Sequence, residues 1–394
     1  MYDMPKGFRF ATARAGFRRS HCNDTALVVS ETPAVAAGTF TLHKFPAAPV
    51  QIGRDRLSNN LTMRAILINA GQANACTGYE GLQNCHHTLE LLSKAIGFNP
   101  QDILPASTGV IGVQLNMALW EKVIPVLVKR LGEDGPEDFA KAIMTTDAFP
   151  KFAHKKIQLP QGTINITAMA KGAGMICPQM ATMLAVILCD ADIQVTCWRE
   201  LISHTVDITF NRITVDGDTS TNDTVYALSN GCSGISITSN ESLNLLEAGL
   251  TSILNELAYM LVQDGEGATK VGHIYVTGAL SDTDAETVAR TVGNSQLVKT
   301  ALFGQDANWG RIIAAIGRSH ATFDPLAVCV KLCGVTVFCN GQPTKDNFDD
   351  LLKEPLQQKD IMIEIQLGHG PGMYKLLTSD LTHDYITCNA AYRS

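Results

Sequence analysis

"KGAGMICPQMATMLAVILCD", residues 171–190, passes from a lysine and two close-set glycines, through a proline, into Met-Ala-Thr and an unbroken apolar run. It raises the question of why Thr182 stands where a flexible, glycine-rich segment becomes a buried element. Just upstream, "KKIQLPQGTINITAM" (155–169) reads as a hairpin, with Ile157 and Leu159 alternating before Pro160-Gln161-Gly162 and Ile164 and Ile166 after it. That hairpin leads straight into the glycine-rich stretch.

Farther out, the elements alternate in kind. "RAILINAG" (64–71) is a short apolar run ending in glycine, a strand signal. "HTLELLSKAIGFNP" (87–100) sets Leu89, Leu92 and Ile96 at helical spacing and stops at Gly97, with Pro100 beyond. The pattern predicts a helix over 117–131 interrupted by Pro125, and another opening with Pro136 in its first turn and continuing through Phe139, Ala140 and Ile143. From 243 to 267, Leu246, Leu250, Ile253, Leu257 and Met260 share one helical face, which Gly265 and Gly267 close. Strands are expected at 273–277, 327–338 and 361–367 and a helix at 284–292. Interspersed helices and strands indicate an α/β protein.

The chain has 394 residues, 45% hydrophobic and 18% charged, enough for a sizeable core in two or three folding units or one large layered domain. A net charge of −7 with interleaved signs offers no footprint for nucleic acid and no polybasic membrane patch, so small molecules are the expected partners. Asp3 and Pro5 stand where a signal peptide would need a basic start and an apolar stretch, and no apolar run approaches the roughly 20 residues of a membrane span. A cytoplasmic location is expected. The eleven cysteines are scattered without C-x-x-C spacing and read as reduced, mostly buried thiols.

Several motif-like stretches fail on spacing. "DGDTSTNDTVYA" (216–227) has Thr221 and Ala227 where a calcium loop needs Gly and Glu. "DGEGATK" lacks phosphate-loop spacing, and "GHGPGM" places Pro371 where a dinucleotide-binding turn would open its helix. His86 and His87 are adjacent, with no third ligand near them in sequence, which argues for a surface or capping role over metal.

Thr182 invites a different chemistry. A threonine hydroxyl needs a base beside it, and an N-terminal threonine carries its own, an α-amine of pKa about 7.7 to 8.0. Cleavage of the Ala181–Thr182 bond would create that arrangement. Gly172 and Gly174 could supply the strained backbone of an N-to-O acyl shift, and Met183 to Leu188 would anchor the new terminus. On composition alone, the reading of Thr182 as an ordinary residue at the start of a core strand prevails, because self-processing is rare, and Cys177 is a rival nucleophile.

"KGAGMICPQMATML" closely resembles the self-processing motif of the ornithine acetyltransferase (ArgJ) family. Matching stretches follow in the family's order: "NAGQANACTG" (69–78), "ASTGVIG" (106–112), "AIMTTD" (142–147), "FNRITVDGDTSTNDT" (210–224), "DGEGATK" (264–270), "NSQLVKTA" (294–301), "GQDANWGRI" (304–312) and "DLTHDYITCNAAYRS" (380–394). The departures are Gln72 for a usual Asn, Ala307 for Pro and Ser379 for Cys. None falls on an assigned role.

The resemblance implies that Thr182 is the nucleophile, that Thr108 and Gly109 form the oxyanion hole, and that Thr145, Lys171, Thr182, Glu266, Asn389 and Ser394 bind substrate. It implies a layered α-β-β-α sandwich over about 1–284 with a smaller C-terminal α/β domain over 285–394. Self-cleavage would give an α chain, 1–181, and a β chain, 182–394, assembled as a heterotetramer of two α and two β chains. The implied reaction moves acetyl from N2-acetyl-L-ornithine to L-glutamate by a ping-pong route in arginine biosynthesis, with acetyl-CoA as a further donor in some members and no metal or other cofactor. The alternatives are an Ntn-like amide hydrolase or aminopeptidase of the same fold, a member with another acyl donor, and a non-catalytic small-molecule binding protein that would not cleave itself.

Overall fold

A computed structural model describes residues 4–18, 21–177, 183–345 and 347–390. Ala181, Thr182 and Ser394 lie outside them. In chain order the elements are β1 (Phe8–Ala13), β2 (Thr25–Phe40), α1 (Ala48–Asn59), β3 (Thr62–Gln72), α2 (Gly78–Ile96), β4 (Ile103–Val110), α3 (Met117–Lys129), α4 (Pro136–Ile143), β5 (Lys151–Leu159), β6 (Gly162–Lys171), β7 (Leu184–Cys189) and α5 (Val195–Ile208). They continue with β8 (Ile213–Thr214), β9 (Thr224–Ser229), α6 (Asn240–Gln263), β10 (Val271–Ala279), α7 (Asp282–Gly293), α8 (Gln296–Phe303), α9 (Trp309–Gly317), β11 (Cys329–Leu332), β12 (Val335–Cys339), β13 (Gln342–Pro343), α10 (Phe348–Leu352), β14 (Asp360–Gln366), β15 (Gly372–Ser379) and α11 (His383–Ala390). The class is α/β, as the alternation of elements indicates.

The chain sorts into two units. The described residues up to Gly172, with 183–211 and Thr219–Leu261, form the first; Ala173–Cys177, Arg212–Asp218 and the chain from Val262 onward form the second. The first unit's sheet has the order β4-β3-β2-β9-β7-β6-β5, with β1 paired to β2. β3 runs parallel to β4 and β7 parallel to β9, while β2, β5 and β6 pair antiparallel to their neighbours. Both faces of this sheet are covered. Ile66 and Ile68 of β3 join a core with Phe139 and Ile143 of α4, whereas Ala65 and Leu67 join another with Leu89 and Leu92 of α2 and Trp120 of α3. A strand buried on both sides has no polar face to show, which is why "RAILINAG" reads as a continuous apolar run. Each fully buried Leu or Ile in these cores contributes about 1.5–3 kcal/mol.

The second unit's sheet has the order β13-β12-β11-β14-β10-β15-β8. Ile274 and Val276 of β10 and Ile363 and Ile365 of β14 meet Val288 and Val292 of α7 and Ile312 and Ile316 of α9 in one core. Because β10 lies between β14 and β15, it belongs to this unit, which therefore starts upstream of residue 285.

Besides the cysteines, of which only Cys85 and Cys189 are buried, two sequence expectations change. The apolar stretch 327–338 is not one strand but the hairpin β11–β12, turned by Cys333 and Gly334 with φ of 46° and 81°. A two-residue hairpin turn with both φ positive matches the twist of its strands, and only Gly334 signalled it. Second, α6 is long and apolar enough to cross a membrane by length and composition, with 50% of its most apolar window buried in the protein. Leu246, Leu250, Ile253 and Leu257 are fully buried, so this apolar face serves a core, and Met260 is half-buried.

Candidate active site

In the first unit, Lys171 ends β6 and turns its ammonium to two threonines. Nζ donates to Thr145 Oγ1 at 2.7 Å and to Thr108 Oγ1 at 3.3 Å. Thr108 stands near the end of β4, in register with Ala70 of β3, and Gly109 stands opposite Gly71. Gly109 has φ of 126°, and a Cβ there would meet the backbone of Gly71 at 2.3 Å. Only a glycine permits both the dihedral and the approach.

The end of β4 is tied down from below. Asn222 Nδ2 donates to Ala73 O at 2.6 Å and to Ser107 O at 2.8 Å, and Ser107 Oγ donates to Asn69 Oδ1 at 2.7 Å. Three of the sequence stretches singled out above, 69–78, 106–112 and 210–224, thus meet at the peptide preceding Thr108. The stretch rejected as a calcium loop provides that tie.

Asp147 organises the neighbouring corner. Its carboxylate accepts from Thr145 N at 2.9 Å, Gly172 N at 2.6 Å and Lys151 Nζ at 2.7 Å. Burial alone would raise its pKa, but the charges of Lys171 and Lys151 and these hydrogen bonds outweigh burial and hold it at about 2. Asp147 is therefore an anion throughout the physiological range. Beside it, a cavity of about 530 Å³ is lined by Arg18, Met144, Thr145 and Asp147, among others.

In the second unit, Glu266 and Asn389 meet: Asn389 Nδ2 donates to Glu266 Oε2 at 2.7 Å. A Cβ at Gly174 would lie 2.5 Å from the Glu266 carboxyl, so a larger residue there would displace that side chain. The backbone strain expected at both glycines lies elsewhere in part, at Gly172 with φ of 151° and at Met175 with φ of 57°. The segment 173–177 is held at nearly every residue. Glu266 N donates to Ala173 O at 2.9 Å, Asp216 accepts from Met175 N at 2.6 Å and Ile176 N at 2.9 Å, and Val215 N donates to Ile176 O at 2.6 Å. Burial raises the Asp216 pKa, partly offset by those amide donors. Cys177, the rival nucleophile, accepts a hydrogen bond on Sγ from Asn294 Nδ2 at 3.6 Å.

Of the site residues read from sequence, Thr108, Thr145 and Lys171 are in contact in the first unit, Gly109 adjoins them on β4, and Glu266 and Asn389 are in contact in the second. Ala181, Thr182 and Ser394 fall outside the described residues. Asp147, Asn222 and Asp216 were not singled out, although all three stand inside quoted stretches; short polar runs carry no periodicity that separates an anchoring side chain from its neighbours. His87 lies on α2, exposed, 3.6 Å from Glu90, the surface role expected of it. Among the described residues no three His, Cys, Asp or Glu side chains gather as a metal-ligand set.

A sequence model of the ArgJ family matches residues 9–394. An arginine biosynthesis bifunctional protein ArgJ from Nitratidesulfovibrio vulgaris is 58% identical over 394 residues, covering 100% of both chains. One of the same name from Thermosynechococcus vestitus is 42% identical, covering 98% of this chain and 96% of its own. Among solved structures, the arginine biosynthesis bifunctional protein ArgJ of Bacillus halodurans is 36% identical over 52% of this chain and 96% of that one, with a TM-score of 0.49.

Proposed function

This chain belongs to the ArgJ family, and from that premise we propose that it moves acetyl from N2-acetyl-L-ornithine to L-glutamate through an acetyl-Thr182 intermediate and also accepts acetyl from acetyl-CoA. The bifunctional name borne by relatives that match along the whole chain supports the second donor. The observation that carries the first is the convergence of Lys171 on Thr145 and Thr108, an ammonium and two hydroxyls beside a glycine that no other residue could replace.

In this reading the chain cleaves itself between Ala181 and Thr182, and the freed α-amine of Thr182 takes the proton from its own hydroxyl. The oxygen attacks the acetyl carbonyl. Thr108 and Gly109 donate to the oxygen that becomes negative, where a preorganised pair of donors is most effective. The C–N bond then breaks, and ornithine leaves as the amine carrying the proton. The glutamate amine attacks the resulting ester, releasing N-acetylglutamate and restoring the hydroxyl. Lys171 and Thr145 receive a substrate carboxylate, while Glu266, with Asn389, receives an amino group; Ser394 completes the set. The cleaved chains work as a cytoplasmic heterotetramer of two α and two β chains.

The test combines a variant with an adduct. Purified wild type should run as two pieces, the second starting at Thr182, and incubation with acetylornithine alone should add one acetyl group to that N-terminal peptide. Thr182→Ala should stay one chain of 42.4 kDa and form no adduct. An adduct on Cys177, or normal turnover by Thr182→Ala, would overturn the assignment.

A further inference from the structure

We propose that Asp147 is the positioning residue of the carboxylate-binding corner, and that Lys151, which touches no substrate in this reading, sets the net charge with which Lys171 meets a substrate carboxylate. The inference rests on the acetyl-transfer reading above and adds two residues to it. Asp147 and Lys151 have side chains with 0% exposure, 2.7 Å apart. A buried ion pair placed only for stability could be replaced by apolar residues at little cost. This one is coupled to the site at two points: its carboxylate holds the amide of Thr145 and the amide of Gly172, the residue that follows Lys171.

The charge count explains why two lysines share one aspartate. The ammonium groups of Lys151 and Lys171 and the carboxylate of Asp147 together carry one net positive charge, beside the Arg18 guanidinium that lines the same cavity. Without Lys151, the Asp147 carboxylate would offset Lys171, and an incoming carboxylate would meet one positive charge fewer. Without Asp147 and Lys151 together, Lys171 again stands as one positive charge, and the amide oxygen of an asparagine at 147 can still accept from a backbone N–H.

A double-mutant comparison separates this from a structural role. Lys151→Met should raise KM for both acetylornithine and glutamate about tenfold while kcat changes less than about twofold, the signature of binding lost equally in ground and transition states. Adding Asp147→Asn to Lys151→Met should bring KM back to within about threefold of wild type, because the net charge is restored. Neither variant leaves the fully buried Lys151 ammonium without Asp147, as Asp147→Asn alone would, and a circular-dichroism melt checks that each is folded. A double variant with KM as high as that of Lys151→Met, or a Lys151→Met enzyme with wild-type KM, overturns the inference. A wild-type enzyme unable to transfer acetyl from acetylornithine to glutamate would instead sink the reading on which it rests.

Discussion

At Gly109 the backbone has no alternative. Its φ of 126° and the 2.3 Å that a Cβ would leave to Gly71 mean that Gly109→Ala must push β4 away from β3 or distort the peptide between Thr108 and Gly109. The expected result is a loss of kcat of at least about 100-fold, the scale of removing an oxyanion donor, with a lowered melting temperature. Thr108 and Lys171 should fail differently. Thr108→Val should lower kcat by roughly 100 to 1,000-fold if its hydroxyl meets the oxyanion, whereas Lys171→Ala should chiefly raise KM. Equal effects on both constants at both positions would mean the roles are misassigned. Asp147 gives the pH dependence. Its folded pKa of about 2 lies below the ordinary 3.8, so its contribution is fully present above pH 4 and is lost as pH falls towards 2. A shift of that size corresponds to on the order of 2 kcal/mol, and Asp147→Asn combined with Lys151→Met should flatten the acid limb of stability in denaturant melts at pH 2 to 5. These residues were unevenly legible. Lys171 and Thr108 could be named from motifs with a recognisable order, but what makes Asp147 matter is that the nearby Thr145 N and Lys151 Nζ and the more distant Gly172 N all turn to one carboxylate, and sequence does not report convergence.

Elements with a strong period were readable, and elements defined by partners were not. α2, α3, α4 and α6 announced themselves through apolar spacing, Pro136 and Gly97. The hairpin β5–β6 did so through Pro160 and Gly162, although the pairing of Leu159 with Gly162 shortens its turn to Pro160 and Gln161. β2 was missed because Pro33 and Gly38 sit inside it. It bulges between Val29 and Ala34, where its pairing with β3 shifts, and a run with such breaks has no clean alternation. The site follows the same division. Thr108 is usable only if the end of β4 is fixed, and that depends on Asn222, which holds the carbonyls of Ala73 and Ser107 from a loop more than a hundred residues away. Asn222→Ala should therefore cost about 1–3 kcal/mol of stability, as for buried groups left without partners, and lower kcat more than it raises KM. Unchanged kcat in a folded Asn222→Ala enzyme would detach this loop from the strand proposed to carry the oxyanion hole.

For the molecule as a whole, the proposed cleavage divides the sequence where the first unit's sheet does not divide. Residues 1–181 supply β1 to β6 and residues 182–394 supply β7 and β9, and in the order β4-β3-β2-β9-β7-β6-β5 the two later strands lie between earlier ones. Val35–Phe40 of β2 pairs with Thr224–Ser229 of β9, and Ile166–Lys171 of β6 pairs with Leu184–Cys189 of β7. Neither piece can leave without opening two hydrogen-bonded ladders and exposing Ala168, Val186 and Leu228, all fully buried. The pieces should accordingly co-elute in native size exclusion and separate only in denaturant, so the proposed processing would free the Thr182 amine without dismantling this sheet. Expressed alone, residues 1–181 should be insoluble or aggregate, because the edges of β2 and β6 would have no partner; co-expression with residues 182–394 should recover soluble protein. A soluble, monomeric 1–181 fragment with a cooperative melt would show that the first half completes its own sheet, and the shared-sheet account of how the cleaved chains stay together would have to be abandoned.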